Sequence, residues 1–174
     1  RRLDRPVELE VVQWGVTREV LADRMSREGG PDLLHLSGHG RQGGLLLEGT
    51  DGAPDEIDAT SLVDLLRPAR GRLRLVFVSA CKSAAAPLRW LDLDRPGAGV
   101  TAPDAVPASL GVRLARELDC TVLAMRYPVT DDVAGDLAVA FYRGFVDSGL
   151  DAGTAAARAV RAVAAHGVSA ARPA

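Results

Sequence analysis

Lysine is almost missing from this chain: of 21 basic residues 20 are arginine, and Lys82 is the single lysine. The arginines are interspersed with Asp and Glu, so no basic stripe forms. A formal net charge of −2 gives no reason to expect nucleic acid or an anionic membrane as a partner. Abundant Ala and Gly accompany the arginines, which points to a coding bias rather than an RNA-binding patch. Cysteine is equally scarce. Cys81 and Cys120 do not make a disulfide framework, and there is neither a CxxC motif nor paired Cys/His spacing for zinc. No apolar run is long enough to cross a bilayer, and no secretory signal is present. A reducing cytoplasm is the expected location. The chain starts at Arg1 directly before an expected strand and reads as a fragment of something larger.

What is present fits one globular domain. The 174 residues, 47% hydrophobic and 25% charged, suffice for a sizeable core. Residues 7–12 read as a strand with partial alternation. Thr17 is placed to cap a helix through Arg27, with Val20, Leu21 and Met25 on one face and Gly29-Gly30-Pro31 as its stop. A second strand at 33–38 would complete a right-handed β-α-β unit. Gly43-Gly44 leads into a short strand or hairpin arm, and Gly49-Thr50-Asp51-Gly52 is a turn. Thr60 is expected to cap a helix over 61–67, ended by Pro68. Residues 73–79 read as a central strand apolar on both faces, as in a covered parallel sheet. Residues 87–107, interrupted by four prolines, form a long irregular loop. A helix over 108–117, a strand over 121–125, an amphipathic helix over 131–146 and an Ala-rich helix over 151–165 complete the chain. No internal repeat or second domain is evident, so residues 1–174 read as one domain.

Two stretches carry chemistry. Leu33-Leu34-His35-Leu36-Ser37-Gly38-His39-Gly40 is an apolar strand that ends in a histidine between glycines. Arg74-Leu75-Val76-Phe77-Val78-Ser79-Ala80-Cys81 is a buried-type strand ending in a cysteine. Parallel α/β sheets bind ligands outside the carboxyl ends of their strands. Delivering a His and a Cys there is a natural way to build a thiol nucleophile with its base. A free Cys after a buried strand is most often a small core residue. Here Lys82-Ser83-Ala84-Ala85-Ala86 follows and can open a helix, whose N-terminus, with the Lys82 charge, favours thiolate.

His39 has no reason to be a core residue at a strand end, and its glycines let a substrate backbone approach. His35, within the strand, reads as a core histidine; His166 as a surface residue; Cys120 as structural. Gly38-His39-Gly40-Arg41-Gln42-Gly43 matches the dinucleotide fingerprint GxGxxG. That fingerprint must open a helix, and a Leu-rich strand-like run follows instead. His35 and His39 are four apart, but a metal-binding HxxxH needs a helix. Neither a metal nor a cofactor is expected.

Four motifs in order resemble the CHAT-domain family of caspase-like cysteine peptidases, relatives of separases and caspases. They are His35-Leu36-Ser37-Gly38-His39-Gly40, then Val78-Ser79-Ala80-Cys81-Lys82-Ser83-Ala84, then Val122-Leu123-Ala124-Met125-Arg126-Tyr127-Pro128-Val129-Thr130-Asp131, and Phe141-Tyr142 followed by Gly149 and an Ala-rich helix. The resemblance implies a three-layer α/β/α sandwich with a mostly parallel sheet. It implies Cys81 as nucleophile, His39 as acid/base, and the backbone N–H groups of Gly40 and Cys81 as the oxyanion hole. It places substrate at Met125, Arg126 and Tyr127. Arg126 is weighed equally as a solvated loop residue, and Tyr127 as a packing residue. Ser79-Ala80 stands where relatives that cut after Arg or Lys often carry an acidic residue, which puts Ser79 among the substrate-binding residues without supporting a basic preference.

The expected function is a cysteine endopeptidase acting on protein or peptide substrates, regulated by a partner domain or complex as in bacterial signalling and defence systems. The alternative is a catalytically silent scaffold or interaction module, against which the presence of both His39 and Cys81 weighs.

Overall fold

Thr17 sets the start of the first helix, α1 (Arg18–Ser26): in the computed structural model its hydroxyl accepts the Val20 N–H at 3.3 Å. The structure describes residues 7–41, 43–80, 109–125 and 129–170. In chain order, α1 is followed by β1 (Leu33–Gly38), β2 (Gly40–Arg41), β3 (Gly44–Glu48), β4 (Pro54–Asp58), α2 (Ala59–Leu66), β5 (Leu75–Ala80), α3 (Leu110–Leu118), β6 (Thr121–Ala124), α4 (Asp131–Tyr142) and α5 (Ala152–Ala170). These fall into two units, Val12–Pro128 and Arg1–Val11 with Val129–Ala174.

In the first unit β1, β5 and β6 form a parallel sheet in that order, β5 in the middle. Its register runs from Leu33 opposite Leu75 to Gly38 opposite Ala80, and from Leu75 opposite Thr121 to Val78 opposite Ala124. Successive side chains on a strand point to opposite faces. The even-numbered set, Leu34, Leu36, Val76, Val78, Ala80, Val122 and Ala124, packs into one core with the apolar stripes of α1, α2 and α3. Leu62 and Leu66 from α2 and Leu110, Leu114 and Leu118 from α3 are fully buried there. Each such side chain stabilises the fold by about 1.5–3 kcal/mol. All six residues of β5 are buried, as its apolar composition on both faces requires. The architecture is mixed α/β, a parallel three-stranded sheet flanked by helices, consistent with a caspase-like fold.

A second, antiparallel sheet, β2-β3-β4, leaves the end of β1 at once. Gly40 opposes Leu45, and Gly44 opposes Asp58 across the β3–β4 ladder. A Cβ on Gly44 would lie 2.5 Å from the Ile57 carbonyl oxygen, so only glycine permits this approach. Two ties fix the sheet to the start of α1. Arg18 grips both oxygens of Asp55, at 2.6 and 2.9 Å, and donates to the Glu56 carbonyl at 2.6 Å. Glu48 accepts the Gly15 N–H on its carboxylate at 2.8 Å and donates its own N–H to the Val16 carbonyl at 3.1 Å.

Three expectations are corrected. Residues 7–12 form no strand, so the β-α-β unit built on them is absent; Val7, Leu9 and Val11 are exposed. Alternation reports that a segment could present a face; the ladder also needs a neighbouring strand. β4 went unseen because Pro, Asp and Glu dominate it; Ile57 alone on it is buried, and polar composition is usual at a sheet edge. α2 is capped by Asp58, which accepts the Ser61 N–H at 2.8 Å, and not by Thr60. The Thr60 hydroxyl instead accepts from Arg113 of α3 at 2.6 Å. Pro68 lies in a 3₁₀ turn, Arg67–Ala69, after the helix. Residues 87–107 lie outside the described residues.

In the second unit α4 is capped by Thr130 and passes after Tyr142 into a π-helical turn, Arg143–Asp147, so that helical backbone covers the expected span to 146. Gly149 at φ +65° reverses the chain, and Asp151 caps α5 by accepting the Thr154 N–H at 2.9 Å. Phe141 is buried, its ring stacked on Phe145 at 5.4 Å and edge-on to Tyr142 at 5.2 Å. Burial pushes the Tyr142 hydroxyl up to about 12.

Candidate active site

The parallel ladder between β1 and β5 ends at one rung, Gly38 opposite Ala80. His39 follows on the first strand and is exposed. Cys81, the next residue after Ala80, lies outside the described residues, as do Arg126 and Tyr127. Of the sequence-derived site residues the structure therefore describes His39, Gly40, Ser79 and Met125. Ser79 and Met125 are buried at the carboxyl ends of β5 and β6.

The backbone around His39 is held from the antiparallel sheet. Its carbonyl accepts the Leu46 N–H at 3.0 Å. That bond makes Gly40 and Leu45 a non-hydrogen-bonded pair of the β2–β3 ladder, so the Gly40 N–H turns away from β3. An outward N–H beside an exposed imidazole is a donor available to a ligand oxygen. Gly43, at φ +81°, leads into β3 rather than a helix, which removes the context the dinucleotide fingerprint needs.

The odd-numbered face of the sheet continues below this end. His35 and Phe77 are opposite in register and their rings stack, 4.6 Å apart and 3° from parallel. Burial holds the His35 imidazole below the usual histidine range, so it is neutral near pH 7. This agrees with the reading of His35 as a core residue. Four residue steps separate its backbone from that of His39, about 13 Å at the strand rise, too far for a shared metal. Among the described residues no group of three or more His, Cys, Asp or Glu could hold a metal ion. Above the stack, Ser37 faces Ser79. Sequence reasoning named Ser79 but passed over Ser37; alternation from His35 to His39 was the signal that could have found it.

Cys120, after the left-handed Asp119 (φ +55°), packs against the core below β6. Burial, and next the Asp119 charge, push its thiol up, away from thiolate. A structural role fits. Among the described residues no helix is long and apolar enough to cross a membrane.

A parallel α/β sheet with a histidine at the end of one strand, and a cysteine as the next residue in sequence after the neighbouring strand, is consistent with the caspase-like class. The chain belongs to one family within it: the CHAT domain model matches residues 6–170, nearly the whole length, and this family is related to caspase-like cysteine peptidases. No curated protein matches the sequence.

Proposed function

We infer that this domain is a cysteine endopeptidase in which Cys81 is the nucleophile and His39 the acid/base. The observation that carries the reading is the shared end of the β1–β5 ladder: the chain passes from Gly38 to His39 on one strand and from Ala80 to Cys81 on its neighbour. The thiolate attacks the scissile carbonyl, its oxygen becomes an oxyanion, and the N–H groups of Gly40 and Cys81 stabilise it. The outward N–H of Gly40 supports that role. His39 then protonates the leaving amine, and water releases the acyl group from Cys81. Met125, Arg126 and Tyr127 hold an extended peptide beside the sheet by strand addition. Residues 1–174 act as one cytoplasmic peptidase domain, under control of a partner domain or complex.

The test is labelling by a library of peptidyl thiol-directed electrophiles, comparing the natural chain with Cys81→Ala and His39→Ala. Labelling of Cys81 that depends on His39 is expected. If Cys81 reacts no faster than Cys120, in this domain and in the full-length protein alike, the peptidase reading fails and a scaffold role replaces it.

A further inference from the structure

The start of α1 and the histidine are attached to the same edge of β3. Leu46 donates its N–H to the His39 carbonyl at 3.0 Å, and Glu48, two residues on, donates to the Val16 carbonyl at 3.1 Å. The two bonds lie about 7 Å apart at the strand rise. Glu48 adds its carboxylate, which accepts the Gly15 N–H at 2.8 Å.

In an antiparallel sheet the N–H and C=O of one residue point to the same side, and the side alternates along the strand. Leu46 and Glu48 point to the edge just described. Leu45 and Leu47 therefore point to β4, where they pair with Ile57 and Asp55. Glu56, between those two, turns its carbonyl away from β3, and Arg18 meets it there at 2.6 Å. The same guanidinium holds the Asp55 carboxylate at 2.6 and 2.9 Å. From Arg18 the path to His39 is short: Asp55 on β4, its partner Leu47 on β3, and Leu46 beside it.

Burial of Leu45 and Ile57 seats this sheet on the core, but apolar contact is non-directional. A guanidinium–carboxylate fork is planar and fixes distance and angle together. The Arg18 and Asp55 side chains are 35% and 32% exposed, where an ion pair contributes little to stability. Geometry is what this pair supplies.

We propose that Arg18 and Asp55 are positioning residues for His39: their clamp sets where β4 and β3 sit and, through Leu46, the place of the histidine at the end of β1. The assignment rests on the peptidase reading and deepens it by naming the residues that align its base.

The experiment compares the natural chain with Arg18→Ala, Asp55→Ala, the double variant and Arg18→Lys. Amide exchange at Leu46 is expected to quicken about 3- to 10-fold in each single alanine variant, and no further in the double one. The second readout is the rate of Cys81 alkylation by chloroacetamide against pH. An aligned imidazolium favours the thiolate, so losing the alignment moves the midpoint up toward the ordinary thiol value of about 8.5. A general loss of stability leaves that midpoint in place. Arg18→Lys keeps the charge without the fork and should fall between the natural chain and Arg18→Ala. Glu117→Ala breaks an ion pair of like exposure, Arg113–Glu117, and should change neither readout. Unchanged exchange at Leu46, an unmoved midpoint, or equal shifts in Glu117→Ala overturn this inference and leave the dyad standing. If Cys81 of the natural chain shows no activated thiol, the peptidase reading falls, and exchange at Leu46 alone decides whether Arg18 holds the His39 segment.

Discussion

His35 lies flat on Phe77, ring centroids 4.6 Å apart, with the two residues directly opposite on the central parallel ladder. Burial depresses the folded-state pKa of this imidazole, so the fold prefers its neutral form. The stability that depends on neutrality is fully present above the unfolded value of about 6.5 and is lost as pH falls through the lowered folded value. His35→Phe keeps a flat ring on Phe77 and removes the titration. The variant should gain stability relative to the natural chain as pH drops from 7 to 5, measured by urea melts at each pH; a pH-independent difference would falsify the assignment.

Gly40 offers a second test, of the oxyanion donor. Its N–H is outside the β2–β3 ladder, and β2 is an edge strand, the two conditions under which a sheet accepts proline. Gly40→Pro should therefore melt near the natural temperature and keep Cys81 alkylation by a small thiol reagent. Peptide turnover should fall by about 10²–10³-fold, the loss typical for one oxyanion donor. Equal turnover in the two proteins would remove Gly40 from the mechanism.

Asp58 controls the junction between β4 and α2. Its carboxylate accepts the Ser61 N–H, and that bond, first among its causes, holds the carboxyl below the usual range. Asp58→Ala should cost about 0.5–2 kcal/mol near neutral pH, the range for a lost N-cap. Asp58→Asn, an equally good cap without a charge, should be near neutral. Because the folded pKa is depressed, the ionised cap contributes above the unfolded value of about 3.9 and its contribution fades as pH falls through the folded one. The difference from Asp58→Ala should shrink between pH 5 and 2, followed by circular dichroism.

Gly44 tests whether the small antiparallel sheet fixes the histidine. A Cβ there meets the Ile57 carbonyl at 2.5 Å, and backbone cannot yield as a side-chain tip can. Gly44→Ala should destabilise by about 1–3 kcal/mol. It should also speed amide exchange at Leu46, whose N–H holds the His39 carbonyl. Unchanged exchange there would detach the sheet from the site.

The sequence by itself determined the local elements and their ends. Thr17, Gly29 and Gly149 fixed helix boundaries through side-chain capping and left-handed backbone, which act over a few residues. The apolar runs at 33–36 and 75–78 determined that two buried strands would form, and the four ordered motifs determined the family. Tertiary structure alone decided pairing. Nothing in residues 7–12 revealed that they would stay unpaired, and nothing in Pro54–Asp58 that it would join a sheet, because strand pairing depends on a neighbour distant in sequence. Register is the same kind of quantity. It sets Gly38 beside Ala80, turns the Gly40 N–H outward and brings Ser37 opposite Ser79, and a slip of one residue would send each side chain to the other face.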